Sequence, residues 1–86
     1  MESRKIIDNG DEKWIRGDGE LHRLDGPAYI SKSGDKEWWV NGKPHRLDGP
    51  AIDWINGVQS FYIDGKRILD KDYLRISRNY KLKNII

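Results

Sequence analysis

The sequence predicts a mainly β protein, in which antiparallel β-hairpin repeats form a meander sheet that is followed by a short C-terminal α-helix. Three observations lead to this fold class: a recurrence at an offset of 23 residues, short strand-like runs between glycine turns, and a change to helical periodicity near residue 70. The chain of 86 residues suits one domain over 1–86. At this size we expect a thin core organised by four Trp and four Tyr.

The recurrence centres on the heptapeptide His-Arg-Leu-Asp-Gly-Pro-Ala, which occurs at 22–28 and again, letter for letter, at 45–51. The same offset relates Gly34 to Gly57 and the segment 38–43 to the segment 61–66. Asn9-Gly10 begins a degenerate first copy that contains one inserted residue. We therefore expect three repeat units, over about 7–18, 19–41 and 42–65.

Each unit has the pattern of a β-hairpin: a short run after Gly-Pro, a glycine turn, and an aromatic strand. Asn56-Gly57 is the preferred dipeptide of a type I′ turn, which requires positive φ at both central residues. A second Asn-Gly or Asp-Gly closes each aromatic strand, at 18–19, 41–42 and 64–65. Connections this short require neighbouring strands to run antiparallel.

The heptapeptides are predicted to be structural. Their leucines suit apolar anchors, their aspartates suit the first position of a turn, and their arginines can pair with those aspartates or stack on a neighbouring Trp. Duplication of the histidines with the rest of the motif favours a structural role over a metal site or a general base. The predicted structural positions are His22, Arg23, Leu24, Asp25, Gly26 and Pro27, and their counterparts His45, Arg46, Leu47, Asp48, Gly49 and Pro50.

The C-terminal segment is predicted to form a helix over about 70–83, with Asp70 or Asp72 as its N-cap. Its apolar residues fall at spacings of four, three and four, which places on one docking face Leu69, Tyr73, Ile76 and Tyr80. The segment is also strongly basic: residues 66–86 hold seven Lys/Arg and two Asp/Glu, whereas residues 1–65 hold nine and twelve. This asymmetry predicts either a solvated face or a surface for an acidic protein or RNA, formed by Lys66, Arg67, Lys71, Arg75, Arg78, Lys81 and Lys83.

Two further aromatic residues are candidate binding residues. Strand alternation places Trp39 and Tyr62 on the face opposite to Trp38 and Phe61, so both faces of the sheet are apolar. One interpretation is that the loops or the helix cover the second face. The other makes Trp39 and Tyr62 a stacking platform for a ligand.

Several function classes find no support in the sequence. The chain contains no cysteine, which excludes disulfides and thiolate chemistry and fits a reducing compartment such as the cytoplasm. No nucleophile–base constellation or phosphate-binding glycine motif is present, so we expect no enzyme activity and neither metal nor cofactor. No signal peptide or membrane-spanning run is evident, and we expect no membrane association.

The HRxDGPA pattern, followed by a short strand, a glycine turn and W-W/Y-x-N-G, resembles the MORN-like repeats of small proteins from tailed bacteriophages. The resemblance covers about residues 7–67, and Tyr62-Ile63-Asp64-Gly65-Lys66 followed by a charged helix is similar to the ending of that group. The first unit departs from the pattern because no heptapeptide precedes it. The resemblance implies a counter-defence protein that acts in the host cytoplasm by binding and blocking one host protein, such as a nuclease or the toxin of a toxin–antitoxin system.

Three hypotheses follow. The leading hypothesis is a binding protein that inhibits a host factor through the basic helix and the face of Trp39 and Tyr62. The second is direct binding of RNA or single-stranded nucleic acid by Arg75, Arg78, Lys81 and Lys83 with aromatic stacking. The third is a structural module that forms a homodimer through unpaired sheet edges.

Overall fold

The computed structural model describes residues 3–83. It is mainly β, with one C-terminal helix, as the repeat pattern predicts. The elements, in chain order, are β1 (Arg4–Asp8), β2 (Asp11–Ile15), β3 (Tyr29–Ile30), β4 (Lys36–Glu37), β5 (Trp39–Val40), β6 (Lys43–Pro44), β7 (Ile52–Asp53), β8 (Gln59–Ile63), β9 (Lys66–Ile68) and α1 (Asp70–Lys83).

Seven strands form one antiparallel sheet in the order β1-β2-β3-β4-β7-β8-β9, and β5 pairs with β6 in a separate two-stranded sheet. The aromatic segment of the second unit is therefore divided. Lys36–Glu37 pairs back with β3 and forward with β7, whereas Trp39–Val40 pairs with Lys43–Pro44. In the third unit the corresponding segment stays continuous as β8, which pairs first with β7 and then with β9.

Two kinds of turn connect the strands. Tight two-residue turns with positive φ at both positions occur at Asn9-Gly10, Asn41-Gly42 and Asp64-Gly65, and they are of the type I′ kind. The turn at 54–58 is longer: the Gly57 N–H donates to Trp54 O, and only Gly57 has positive φ. The prediction of a type I′ turn at Asn56-Gly57 is wrong, because the Trp54 N–H donates to Val58 O and so places three residues in the loop.

The two heptapeptides repeat the same contacts around their arginine. The Arg23 guanidinium lies 4.0 Å from the Trp14 ring centroid and donates to Pro27 O at 3.1 Å. Its counterpart, Arg46, lies 3.7 Å from the Trp38 ring and donates to Pro50 O at 3.1 Å. These arginines are therefore used inside the fold, and Arg23 also pairs with Asp25 at 3.0 Å, as one of the sequence interpretations held.

A glycine lies in close contact with each stacked arginine. A Cβ on Gly26 would lie 2.9 Å from Arg23 Cζ, and a Cβ on Gly49 would lie 3.0 Å from Arg46 Cζ. The guanidinium thus packs against a bare backbone on the heptapeptide side. This contact explains the glycine of the motif without reference to a ligand.

The histidines of the heptapeptides hold the turn that closes their own repeat unit. His22 Nδ1 accepts the Asn41 N–H at 3.0 Å, and His45 Nδ1 accepts the Asp64 N–H at 2.9 Å. Each ring therefore caps the type I′ turn of the same repeat register, and His22 is buried in doing so. Nδ1 must be unprotonated to accept this bond, so the ring proton of each neutral histidine lies on Nε2.

The helix docks through a face centred on Tyr73 and Ser77, both of which are buried. The Tyr73 ring packs 4.5 Å from the Phe61 ring, its hydroxyl donates to Arg46 O, and the Gly49 N–H donates to that hydroxyl at 3.2 Å. Leu69 was predicted to belong to this face. That prediction is wrong, since Leu69 precedes the first helical turn and is 58% exposed.

The apolar core is thin. Among the described residues, the buried apolar side chains are those of Ala28, Ala51, Ile63 and Tyr73, and no large side chain is completely buried. The molecule is accordingly flat, with principal extents of 38 × 33 × 17 Å. The prediction that Leu24 is an apolar anchor is wrong, because Leu24 is 73% exposed, whereas Leu47 lies half-buried beside the helix.

We expect Tyr73→Phe to lower the free energy of unfolding by about 1–2 kcal/mol, because it removes both hydrogen bonds of the hydroxyl and keeps the ring on Phe61. Burial raises the pKa of Tyr73 above its usual value. The hydroxyl therefore stabilises the fold fully below pH 10, and this stability is lost as the pH rises through the folded-state pKa. Urea unfolding at pH 7 and above pH 10 measures both effects, and equal alkaline losses in Tyr73→Phe and the parent would contradict this role.

We expect Arg46→Lys to destabilise the protein by about 1–2 kcal/mol, because an ammonium group cannot both cover the Trp38 ring and reach Pro50 O as a planar guanidinium does. Arg78→Lys, at an exposed helix position, is the matched control and should leave the melting temperature unchanged. Thermal unfolding followed by Trp fluorescence compares the two variants, and equal melting temperatures would count against the stacked arginine.

Candidate functional site

The candidate site is built on the side of α1 that points away from the sheet. Residues at three- and four-residue spacing share this side, because the helix repeats every 3.6 residues. We call it the outer helix face, and it consists of Lys71, Leu74, Arg75, Arg78 and Leu82.

The outer helix face combines positive charge with exposed apolar surface. Leu74 is 75% exposed and Leu82 is 64% exposed. Arg75 pairs with Asp72 at 3.3 Å within the helix, at a largely exposed position. Within residues 3–83, Lys71 and Arg78 have no ion-pair partner. The fold therefore leaves these two cations available to a partner.

The other predicted basic residues lie in different surroundings. Lys66 and Arg67 are exposed on β9, which is an edge strand of the large sheet, and Lys83 ends the helix. Lys81 is engaged within the fold, because its ammonium lies 3.0 Å from Asp48 Oδ1. Sequence reasoning did not anticipate this pair, which joins the helix to the 45–51 heptapeptide.

The two predicted platform residues, Trp39 and Tyr62, are half-buried in the structure. The Trp39 indole N–H donates to Glu37 Oε1 at 3.0 Å, and the Trp54 indole donates to the other oxygen of the same carboxylate at 3.0 Å. The backbone carbonyls of Trp39 and Tyr62 accept hydrogen bonds from the backbone N–H groups of Arg23 and Arg46, respectively. These contacts commit much of each residue to the fold.

The helix takes the place of a third heptapeptide. Tyr73 packs on Phe61 as Arg46 packs on Trp38. Phe61 and Trp38 are themselves equivalent positions, because they lie 23 residues apart. Leu47 and Asp48 border a cavity of about 430 Å³ with the helix, just as Leu24 and Asp25 border one of about 490 Å³ with the 45–51 heptapeptide. We conclude that α1 caps the repeat stack with its inner face, while Leu74 and Arg78 of the outer helix face border the first of these cavities and remain exposed.

The tyrosine beside this cap is tied to the last type I′ turn. A hydrogen bond to the Asp64 carboxylate, together with burial, raises the pKa of Tyr80. Its ring lies 5.5 Å from that of His45, which itself accepts from the Asp64 backbone. Tyr80 therefore fixes the C-terminal half of the helix, so that the outer helix face is held in one orientation.

The described part of the chain shows no cluster of three or more His, Cys, Asp or Glu that could hold a metal ion. No helix within residues 3–83 has the length and apolar character needed to cross a membrane.

Comparison with models of known protein families, with curated proteins and with solved structures gives no match for this chain. The residues and their geometry therefore carry the functional argument.

Proposed function

We propose that the protein is a non-enzymatic binding module that blocks a host protein by docking the outer helix face on an acidic, partly apolar surface. The observation that carries the proposal is the exposure of Leu74 and Leu82 among the cations Lys71, Arg75 and Arg78. Exposed leucines on a docked helix cost solubility without adding to the fold, and apolar surface with a charged surround is characteristic of protein–protein contacts.

A protein partner accounts for this surface better than RNA does. Binding of RNA requires cations and, where bases stack, accessible aromatic rings, but it makes no use of exposed leucines. Trp39 and Tyr62 are half-buried, and the Trp39 indole already donates to Glu37. The cations in turn would increase the rate of association with an acidic surface.

The resemblance to phage counter-defence proteins supports a host nuclease, or the toxin of a toxin–antitoxin system, as the class of target. In this proposal the protein acts in the host cytoplasm. The charge of the outer helix face restricts how it docks, because a nucleic-acid channel is itself cationic and would repel it. The protein would therefore bind such a target at an acidic surface outside that channel.

The test compares two variants of the outer helix face by affinity capture from host lysate and by titration with the captured protein. Lys71→Glu/Arg78→Glu should weaken binding about tenfold or more, because both cations lack an ion pair in the described fold. Leu74→Ser/Leu82→Ser should weaken binding by a similar factor at any salt concentration. Lys32→Glu/Lys36→Glu carries the same charge change on the second-unit hairpin and is the matched control.

Two results would contradict the proposal. One is failure of the parent protein to retain any host protein. The other is recovery of RNA whose affinity falls steeply with salt and is unchanged by Leu74→Ser/Leu82→Ser, which would establish the nucleic-acid alternative.

A further inference from the structure

The hairpin tip between β7 and β8 differs in chemistry from its counterpart one repeat earlier. The backbone is the same in both: the Gly34 N–H donates to Ser31 O and the Gly57 N–H donates to Trp54 O, each at 3.0 Å. The side chains are not, since Ser31, Lys32 and Asp35 correspond to Trp54, Ile55 and Val58. Because a polar tip forms the same backbone turn, the turn itself does not require the three apolar residues, which we call the apolar tip.

The apolar tip is exposed because the stack of hairpin tips ends there. Asp11 Oδ1 accepts the Lys32 N–H at 2.7 Å, and Asp35 Oδ1 accepts the Ile55 N–H at 2.8 Å, so each tip is held by the one before it. Val58 occupies the position of these aspartates and offers no carboxylate to a further tip. Ile55 is consequently 66% exposed, Val58 41% and Trp54 38%.

The size of the apolar tip argues against a second copy of the chain as its occupant. Three partly exposed side chains present on the order of 300 Å². A symmetric contact between two such tips would bury roughly twice that area, well below the ~1,200 Å² at which specific interfaces begin. A single tip that inserts into a pocket on a partner can bury less than this area when the outer helix face contacts the same partner.

The charged residues near the apolar tip indicate the chemistry of the pocket that would accept it. The hairpin over 51–60 contains Asp53 and no Lys or Arg. The Trp54 indole is fixed by its bond to Glu37 Oε2, which keeps a carboxylate at the base of the tip. A pocket that accepts this tip would be apolar inside, with basic groups at its rim.

We infer that Trp54, Ile55 and Val58 insert into an apolar, basic-rimmed pocket on the partner protein. This inference rests on the proposed function and gives that partner a second contact with the protein. The apolar tip makes this contact, and it lies at the opposite end of the β7–β8 hairpin from Phe61, which contacts α1. Trp54 is its anchor, since a rigid indole held by a hydrogen bond loses little conformational entropy on binding.

The experiment transfers the tip of the second unit to the third with Trp54→Ser/Ile55→Lys/Val58→Asp. Because the second unit forms the same turn with these residues, the variant should keep its circular dichroism spectrum while its affinity for the host protein retained by the parent falls about tenfold to a hundredfold. Ile55→Lys alone, at the most exposed of the three positions, should lower affinity in the same direction if the triple variant is unstable. Photo-crosslinking with p-benzoylphenylalanine in place of Ile55 should yield an adduct with that protein at an apolar site next to Lys or Arg, and the same label in place of Lys32 should not.

Three other results would contradict the inference, and each can be told apart from the others. If the parent retains no host protein, the proposed function and the inference fail together. If the tip variants bind like the parent while the outer-helix-face variants do not, the proposed function stands and the tip inference falls. An adduct at twice the mass of the chain would identify a second copy as the occupant and would also overturn it.

Discussion

The stacked arginine of each heptapeptide is the interaction on which the rest of the fold depends. A sheet with so few buried side chains cannot be held by apolar packing alone, and the described residues include no large side chain that is fully enclosed. Arg46 compensates by covering the Trp38 ring, packing against Gly49 and donating to Pro50 O. One side chain thus joins the aromatic segment at Trp38 to the loop that contains Gly49 and Pro50, and Arg23 makes the corresponding contacts one repeat earlier.

A stack built this way must be closed at its end, and the helix provides the closure. After Phe61 there is no third heptapeptide to supply an arginine, and Tyr73 packs on the ring instead. Its hydroxyl binds the backbone of the 45–51 heptapeptide, and Lys81 pairs with Asp48 in the same loop. Capping buries Tyr73 and Ser77, and the leucines Leu74 and Leu82 at other positions of the helix stay exposed.

Internal duplication distinguishes what the fold needs from what it does not. The histidines and arginines of the two heptapeptides make the same contacts in both copies, as His22 and His45 do with the turns that they cap. Positions that change while the backbone stays the same are free of that constraint. Trp54 in place of Ser31 is such a position, and together with Leu74 and Leu82 it places the exposed apolar surface outside the conserved framework.

The sequence by itself determined the features that depend on local chemistry. Turn residues and the spacing of apolar residues over a short stretch of sequence predict the antiparallel hairpins and the helix over Asp70–Lys83. The structure contains both. Only the tertiary structure decided features that depend on what packs alongside. Leu24 and Leu47 have identical local sequences, yet the helix reaches only Leu47, and the pairing of Lys81 with Asp48 joins residues 33 positions apart. The turn at Asn56-Gly57 differs from its expected type because the register of the flanking strands, rather than the dipeptide, sets the loop length.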